Sequence, residues 1–330
     1  MTRYFSPELS IIVVAYNSAP ELPACLSAIR AAAAGVGHEI LVVDNASRDD
    51  TLDLLRFESG IRLLPSAVNL GFAAGNNLAW RQARGRYLAL VNPDARPDAG
   101  SLARAVRWMD AHPQVGLAGG RLLSEDGNDQ PSARSFPSLL NDLLVISGLS
   151  SRFARSRFFG RVDRTWADPA EAAAVDWVPG AFAVIRCSAL DEEGLFDERF
   201  FLYFEEVDLC RRLQARGFSV WYQPEWRAVH IGGVSSQRVE GEHFNRHGSQ
   251  LSLWRMRSAL LYYRKHHGWL GAFGASWLER LWHGLRLWRN RLQQRQGAQA
   301  RCAESLALSR LLARAWQDTA GGRSSPPRPW

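Results

Sequence analysis

The stretch Leu9–Asp44 reads LSIIVVAYNSAPELPACLSAIRAAAAGVGHEILVVD. Two apolar runs, Leu9–Ala15 (LSIIVVA) and Glu39–Val43 (EILVV), flank a helical pattern around Glu21–Ala34 with Pro20 near its start. Continuous apolar runs of this length, without polar alternation, suit strands buried on both faces. Strand, helix and strand in this order imply a parallel pair joined by a crossover helix. The alternation continues outward. Ser47 and Asp50 fit a capping box for the next helix, Ile61–Leu64 reads as a short strand, and a helix around Ala73–Arg84 leads into Tyr87–Val91 (YLALV). This predicts an α/β fold with an open, mostly parallel sheet and helices on both faces.

Sheets of this kind bind ligands beyond the carboxyl ends of their strands. The residues that follow each apolar run are Tyr16 and Asn17, then Asp44 and Asn45, then Asn92, Pro93 and Asp94. Each alone is an ordinary turn or cap sequence. Together they place one polar crevice at the strand ends.

Bulk properties limit the alternatives. The chain has 330 residues, 46% hydrophobic and 22% charged, enough for one large domain with an appendage and against wholesale disorder. No run of 18 apolar residues occurs and the start MTRYFSPELS has no signal core, so neither a spanning helix nor a signal peptide is expected. Cys25, Cys187, Cys210 and Cys302 lie far apart, which argues against a zinc site and a disulfide framework and suits a reducing, cytoplasmic setting. From Leu251 onward 14 basic residues face three acidic ones, so this part carries +11 of a net +7. The domain division expected is a catalytic unit at 1–245, split near 125/126 into donor-binding and acceptor-side halves, a helical extension at 246–320, and a disordered Gly/Ser/Pro-rich tail at 321–330. Within 131–174 a mixed apolar and basic stretch suggests an acceptor-side loop or an interfacial helix.

Several motifs can carry chemistry. Asp94, in Asn92-Pro-Asp94, would offer a carboxylate to a Mg²⁺ or Mn²⁺ ion that neutralises a departing diphosphate, and His230 a second ligand. In Asn69-Leu-Gly71-Phe72-Ala-Ala-Gly75-Asn76, Gly71 permits an unusual backbone and the helix behind it offers N–H groups to an anion. FFLYFEEVDLCRR (200–212) sets Glu205, Glu206 and Asp208 beside aromatic side chains, where a carboxylate gains the proton affinity of a general base. The plainer alternative is an acidic first helical turn. Trp177, Gly180 and Ala181 offer a stacking face beside a tight turn for an acceptor sugar, although a Trp there is as readily core.

In order along the chain, LSIIVVAYNS, EILVVDNASRDDT, NLGFAAGNNLA, YLALVNPDA, DWVPGAFAVIR and FDERFFLYFEEVDLCRRL resemble family 2 glycosyltransferases, especially a bacterial rhamnosyltransferase-like branch. The resemblance covers about Leu9–Val234. It implies a GT-A fold and an inverting, Mg²⁺- or Mn²⁺-dependent transfer from a nucleotide-diphosphate sugar, such as dTDP-rhamnose, to a glycan or lipid-linked acceptor. It implies that Ala15, Tyr16, Asn17 and Asp44 hold the base and ribose, and that Gly71, Phe72, Gly75 and Asn76 line the donor pocket. It puts the metal at Asp94 and His230 and the base at Glu206 of the Glu205–Glu206 pair, with Asp208 competing. The chain departs from the pattern at Asn92, where a further carboxylate is usual. Alternatives are a degenerate sugar-nucleotide-binding protein, which Asn92 favours, and a nucleotidyltransferase, which the non-basic AYNSAPELPA after the first strand disfavours.

In the extension, Trp277, Leu281, Leu285, Trp288 and Leu292 form one helical stripe among arginines, as in a helix lying on an anionic membrane. Packing on the catalytic unit or on a second copy in a homodimer would also use it. Nucleic acid is not expected, because this spacing is no base-stacking platform.

Overall fold

The computed structural model describes residues 7–232, 250–293 and 297–326. One mixed sheet forms the centre. Its principal strands are β1 (Leu9–Ala15), β2 (His38–Asp44), β3 (Arg62–Pro65), β4 (Tyr87–Val91), β5 (Ala95–Pro97), β6 (Val115–Leu123), β9 (Phe182–Arg186) and β10 (Ser219–His230). Their spatial order is β3-β2-β1-β4-β9-β6-β10-β5. Two short strands join it: β7 (Asp129–Gln130) on β6 and β8 (Ala173–Ala174) on β10.

The β3-β2-β1-β4 half is parallel, as expected. β9 then enters antiparallel to both β4 and β6, while β6 and β10 pair in parallel and β5 closes antiparallel on β10, so the second half is mixed. An apolar run buried on both faces reads alike in either direction, which is why the reversal was not visible.

Consecutive β1 residues feed opposite cores. Ile11 and Val13 pack with α1 (Leu22–Ala32) and α4 (Ser101–Ala111), while Ile12 joins α3 (Gly71–Trp80) and α7 (Glu205–Ala215) on the other face. Burial of each such side chain is worth about 1.5–3 kcal/mol. Between β2 and β3, α2 runs from Thr51 to Phe57. Ser47 does not cap it, because the Ser47 hydroxyl accepts from the Asn17 N–H instead.

The 131–174 region carries α5 (Leu139–Ile146) and α6 (Leu149–Arg152). The extension is a hairpin of α8 (Gln250–Gln293), broken at Gly268, and α9 (Ala298–Asp318). Leu253, Trp254, Met256 and Tyr262 at the start of α8 are buried, the last in the same core as α7. The boundary expected at 245/246 lies outside the described residues. The tail is not loose up to 326: the Gly322 N–H donates to Thr319 Oγ1 and the Ser325 hydroxyl to the Arg199 carbonyl. A Cβ on Gly322 would meet the Leu260 carbonyl, so the glycine composition serves close packing there.

Candidate active site

At the carboxyl ends of β1 and β2, Tyr16, Asp44, Ser47, Arg48, Val68 and Asn69 line a cleft of about 440 Å³. Ala15 is fully buried at the end of β1, in register with Asp44. Asp44 is 1% exposed, yet its Oδ1 has no hydrogen-bond partner. Burial raises its proton affinity against the pull of the Ser47 hydrogen bonds. A buried acceptor without a donor is costly unless a ligand supplies one, as a hydroxyl can.

Asparagines shape the walls. Asn17, at a left-handed φ of 49°, accepts the Arg48 N–H and so ties the end of β1 to the loop after β2. Asn69 Oδ1 accepts from the Gly71 N–H and from Asn45 Nδ2, while Asn45 Oδ1 accepts the Leu70 N–H. Sequence reading noted Asn45 only as a strand-end residue; its two-way bonding makes it the brace of this loop.

Gly71 adopts φ 82°, and a Cβ there would lie 2.3 Å from the Phe201 carbonyl oxygen. That same oxygen accepts the Phe72 N–H at 2.8 Å. The first two N–H groups of α3 are therefore already bonded, and its N-terminus is not the open anion site expected. Gly75 and Asn76 also differ from expectation. A Cβ on Gly75 would press on Val14, and Asn76 is 1% exposed and bonds back to the Phe72 carbonyl. Gly75 lets α3 pack closely on β1 and Asn76 bonds within α3, and neither lines the cleft.

Beyond β4, Asp94 and His230 meet. Asp94 Oδ1 lies 3.4 Å from His230 Nε2, and Asp94 Oδ2 accepts the Gly232 N–H. Asn92 Nδ2 is also 3.4 Å from that ring nitrogen. Burial pushes Asp94 up, but the His230 contact and the backbone N–H groups outweigh it and hold the carboxyl below its ordinary range. An oxygen anion and an imidazole nitrogen facing each other across 3.4 Å fit one shared divalent cation, with metal–ligand bonds of about 2.1 Å.

The residues expected on the acceptor side close the crevice. The Asn92 N–H donates to the Ala181 carbonyl, which joins β4 to the turn before β9. Gly180 lies against the Phe72 ring. Its backbone N–H lies close enough to Glu206 to favour the carboxylate there, so the Gly71 loop, this turn and the acidic pair are neighbours. Trp177 is corrected from stacking platform to core: it is 8% exposed, its Nε1–H bonds the Ser135 carbonyl, and Arg134 sits over its ring at 4.5 Å.

The three candidate bases separate clearly. Glu205 is 3% exposed, whereas Glu206 is half-buried. Burial raises the proton affinity of both, and the Glu206 charge raises Glu205 further. Each keeps a buried Oε2 without a partner. They follow Tyr203 and Phe204, both at φ 70°, a strained pair of the kind retained where geometry matters. Asp208 is corrected. It is fully buried and bonds Arg212, Lys265 and His266, whose contacts outweigh burial and hold it below its ordinary range. A carboxylate so engaged is a poor proton acceptor and instead ties α7 to α8. Glu193 and Asp197 share this cluster, but Lys265 bridges all three acids where a cation would sit.

The description "Glycosyl transferase family 2" matches residues 10–192. The chain belongs to this family. It is 28% identical over 251 residues to the N-acetylglucosaminyl-diphospho-decaprenol L-rhamnosyltransferase of Mycobacterium tuberculosis, covering 72% of this chain and 81% of that one. To the rhamnosyltransferase WbbL of Escherichia coli it is 25% identical over 234 residues, 68% of this chain and 81% of the relative. Among solved structures, the mannosyltransferase PcManGT of Pyrobaculum calidifontis, in complex with GDP-Man and Mn²⁺, superposes with a TM-score of 0.53 at 18% identity, over 96% of this chain and 88% of that one. GalNAc-T7 with UDP, GalNAc and Mn²⁺ gives 0.52 at 14% identity, over 83% and 51%. The family 2 chain is thus a glycosyltransferase with a GT-A fold.

Proposed function

We propose that this glycosyltransferase moves a sugar, with inversion, from a nucleoside-diphosphate donor to a hydroxyl of a lipid-linked glycan. The observation that carries the reading is Glu206: a half-buried carboxyl of raised proton affinity with one oxygen unpartnered, beside Gly180 in the turn that lies against Phe72 and, through Ala181, joins the Asn92–Asp94 turn. Asp44 and Tyr16 hold the base and ribose. Asp94 and His230 would hold Mg²⁺ or Mn²⁺, which neutralises charge on the departing diphosphate. Glu206 takes the proton from the acceptor hydroxyl. That oxygen then bonds the anomeric carbon from the face opposite the leaving diphosphate, whose bond breaks. One displacement needs one base, which agrees with the very different environments of Glu206 and Asp208. The relatives from Mycobacterium tuberculosis and Escherichia coli support rhamnose as the donor sugar, for which we take dTDP as the carrier, and the former supports a diphospho-lipid acceptor. Mn²⁺ in the two GT-A neighbours supports the cation.

A thermal-shift titration with dTDP, UDP and GDP tests this. With Mn²⁺ present, one diphosphate at about 100 times its Kd should stabilise the fold by about 2.7 kcal/mol, and Asp44→Ala should remove most of that gain. If no diphosphate shifts Tm with either metal, the reading fails. Asn92 favours a second reading, a binding protein without turnover; donor binding with neither transfer nor hydrolysis would establish it.

In this reading residues 1–245 are the catalytic unit and 246–320 a membrane-facing extension on the cytoplasmic side, for which the free cysteines are support. No helix among the described residues is long and apolar enough to cross a membrane. Beyond Gly268, however, α8 is inside out. Trp277, Leu281, Leu285, Trp288 and Leu292 are 41–65% exposed, while Asn290 is buried and Arg286 pairs with Glu304 of α9. Leu139, Leu140, Leu143 and Val145 of α5 are exposed too, and Leu139 abuts Gly274 of α8. Arg152, Arg155, Arg157, Arg280, Arg289 and Arg291 are also exposed. That charge suits anionic lipid better than a second copy, which would set arginine against arginine. Vesicles containing phosphatidylglycerol should co-float the protein, and Trp288→Ser with Leu292→Ser should weaken binding about tenfold or more. Failure to float, with a concentration-dependent dimer that these changes disrupt, would assign the face to a homodimer.

A further inference from the structure

We propose that Gln130 is the positioning residue that fixes the ring of His230 and aims the Nε2 lone pair at the cation site. The inference rests on the reading of Asp94 and His230 as metal ligands. It starts from an amide that touches one residue twice. Gln130 Nε2 donates to the His230 carbonyl oxygen at 2.7 Å. A carbonyl oxygen only accepts, so the orientation of the Gln130 amide follows from chemistry. Its Oε1 must then face His230 Nδ1, 2.9 Å away. An amide oxygen also only accepts, so Nδ1 carries the proton. Without a cation the second nitrogen can face Asp94 as a donor; a metal-ligating imidazole is neutral, so with Nδ1 protonated it is the second nitrogen that is bare to the cation. That nitrogen, Nε2, is the atom 3.4 Å from Asp94 Oδ1.

The clamp is anchored in the sheet. Gln130 belongs to β7, where it is in register with Leu122 of β6, and β6 pairs along β10, the strand that ends at His230. Ser132 reinforces the turn by accepting the Leu122 N–H and donating to the Gln130 carbonyl. Metal-bound histidines are oriented by a bond to their other ring nitrogen, and loss of that bond costs about 10–100-fold in metal affinity.

Three variants test the role: Gln130→Met, Gln130→Glu and His230→Ala. Gln130→Met keeps the length of the side chain and loses both bonds. Gln130→Glu loses the bond to the carbonyl but still accepts from Nδ1–H. ¹⁵N NMR of the metal-free protein reads the tautomer, and Mn²⁺ titration by EPR with dTDP present reads affinity. Wild type should show the proton on Nδ1. Gln130→Met should lose that preference and bind Mn²⁺ about 10–100-fold more weakly, while Gln130→Glu keeps the tautomer and stays within about threefold of wild type. dTDP affinity without metal should not change. A Gln130→Met variant with the wild-type tautomer, and Mn²⁺ affinity within about twofold of wild type while His230→Ala binds far more weakly, would overturn the proposal. Unchanged Mn²⁺ affinity in His230→Ala would overturn it at its root, by removing His230 from the cation site, and the tautomer readout separates that failure from one of Gln130.

Discussion

Glu206→Gln is expected to lose about 10²–10⁴-fold in kcat, keep its affinity for dTDP, and melt at a higher temperature than wild type near neutral pH. The three effects have one cause. Burial, with one carboxylate oxygen left unpartnered, makes the Glu206 anion costly in the folded protein. The same cost gives it the proton affinity a base requires. A carboxyl whose folded-state pKa lies above its unfolded value gives its full stability below the unfolded value and loses it as pH rises through the folded one. Wild type should therefore destabilise above the ordinary carboxylate range, and the glutamine variant should destabilise less. Its Tm advantage should shrink as pH falls and vanish below about pH 4, where the glutamate becomes protonated in both states. Glu205 should also benefit, because the neighbouring charge that raises it is gone. For activity the sign reverses: wild-type kcat should climb with pH as Glu206 deprotonates. Scanning calorimetry at several pH values and single-turnover transfer assays check both. Near-normal kcat in Glu206→Gln would remove it from the reaction, and an unchanged Tm difference across pH would deny its buried charge.

How far these residues were legible depended on what kind of interaction holds them. Asp44 and Asp94 follow strands whose burial on both faces is written in their composition, and the sheet geometry then dictates where their ends meet. Glu206 was legible as one of three acids. Burial and partners decide among them, and the partners of Asp208, Lys265 and His266, lie 57 and 58 positions away on a helix with no local link to α7. Gln130 was invisible for the same reason, 100 positions from His230 in a two-residue strand. Gly75 and Trp177 misled because glycine and tryptophan serve close packing and ligand contact with the same chemistry. Only the neighbours Val14 and Arg134 distinguish the two uses. The reversed direction of β9 left no trace, since apolar runs carry no polarity along the chain.

Asp94→Asn is expected to lower transfer by about 10²–10⁴-fold and to weaken Mn²⁺ binding, with little change in fold. An asparagine Oδ1 can still accept the Gly232 N–H, so the turn after β10 keeps its tie. What goes is the charge, and Asn92 next to it supplies none. In a site with two carboxylates one could partly replace the other; here the loss should be close to complete. A cation that contributes several kcal/mol of charge stabilisation accounts for the size of the effect, at a factor of ten for each 1.36 kcal/mol, roughly. The complementary change, Asn92→Asp, adds a carboxylate within reach of the same His230 nitrogen. It should tighten Mn²⁺ binding in the wild-type background and recover part of the activity lost by Asp94→Asn. Rescue of that kind would tie both positions to one ion, because a purely structural defect at Asp94 has no reason to be repaired by charge two residues earlier. Transfer by Asp94→Asn within about threefold of wild type, with the same response to Mn²⁺ and to chelation, would sink the metal assignment and leave Glu206 and the Asp44 cleft as the whole of the machinery.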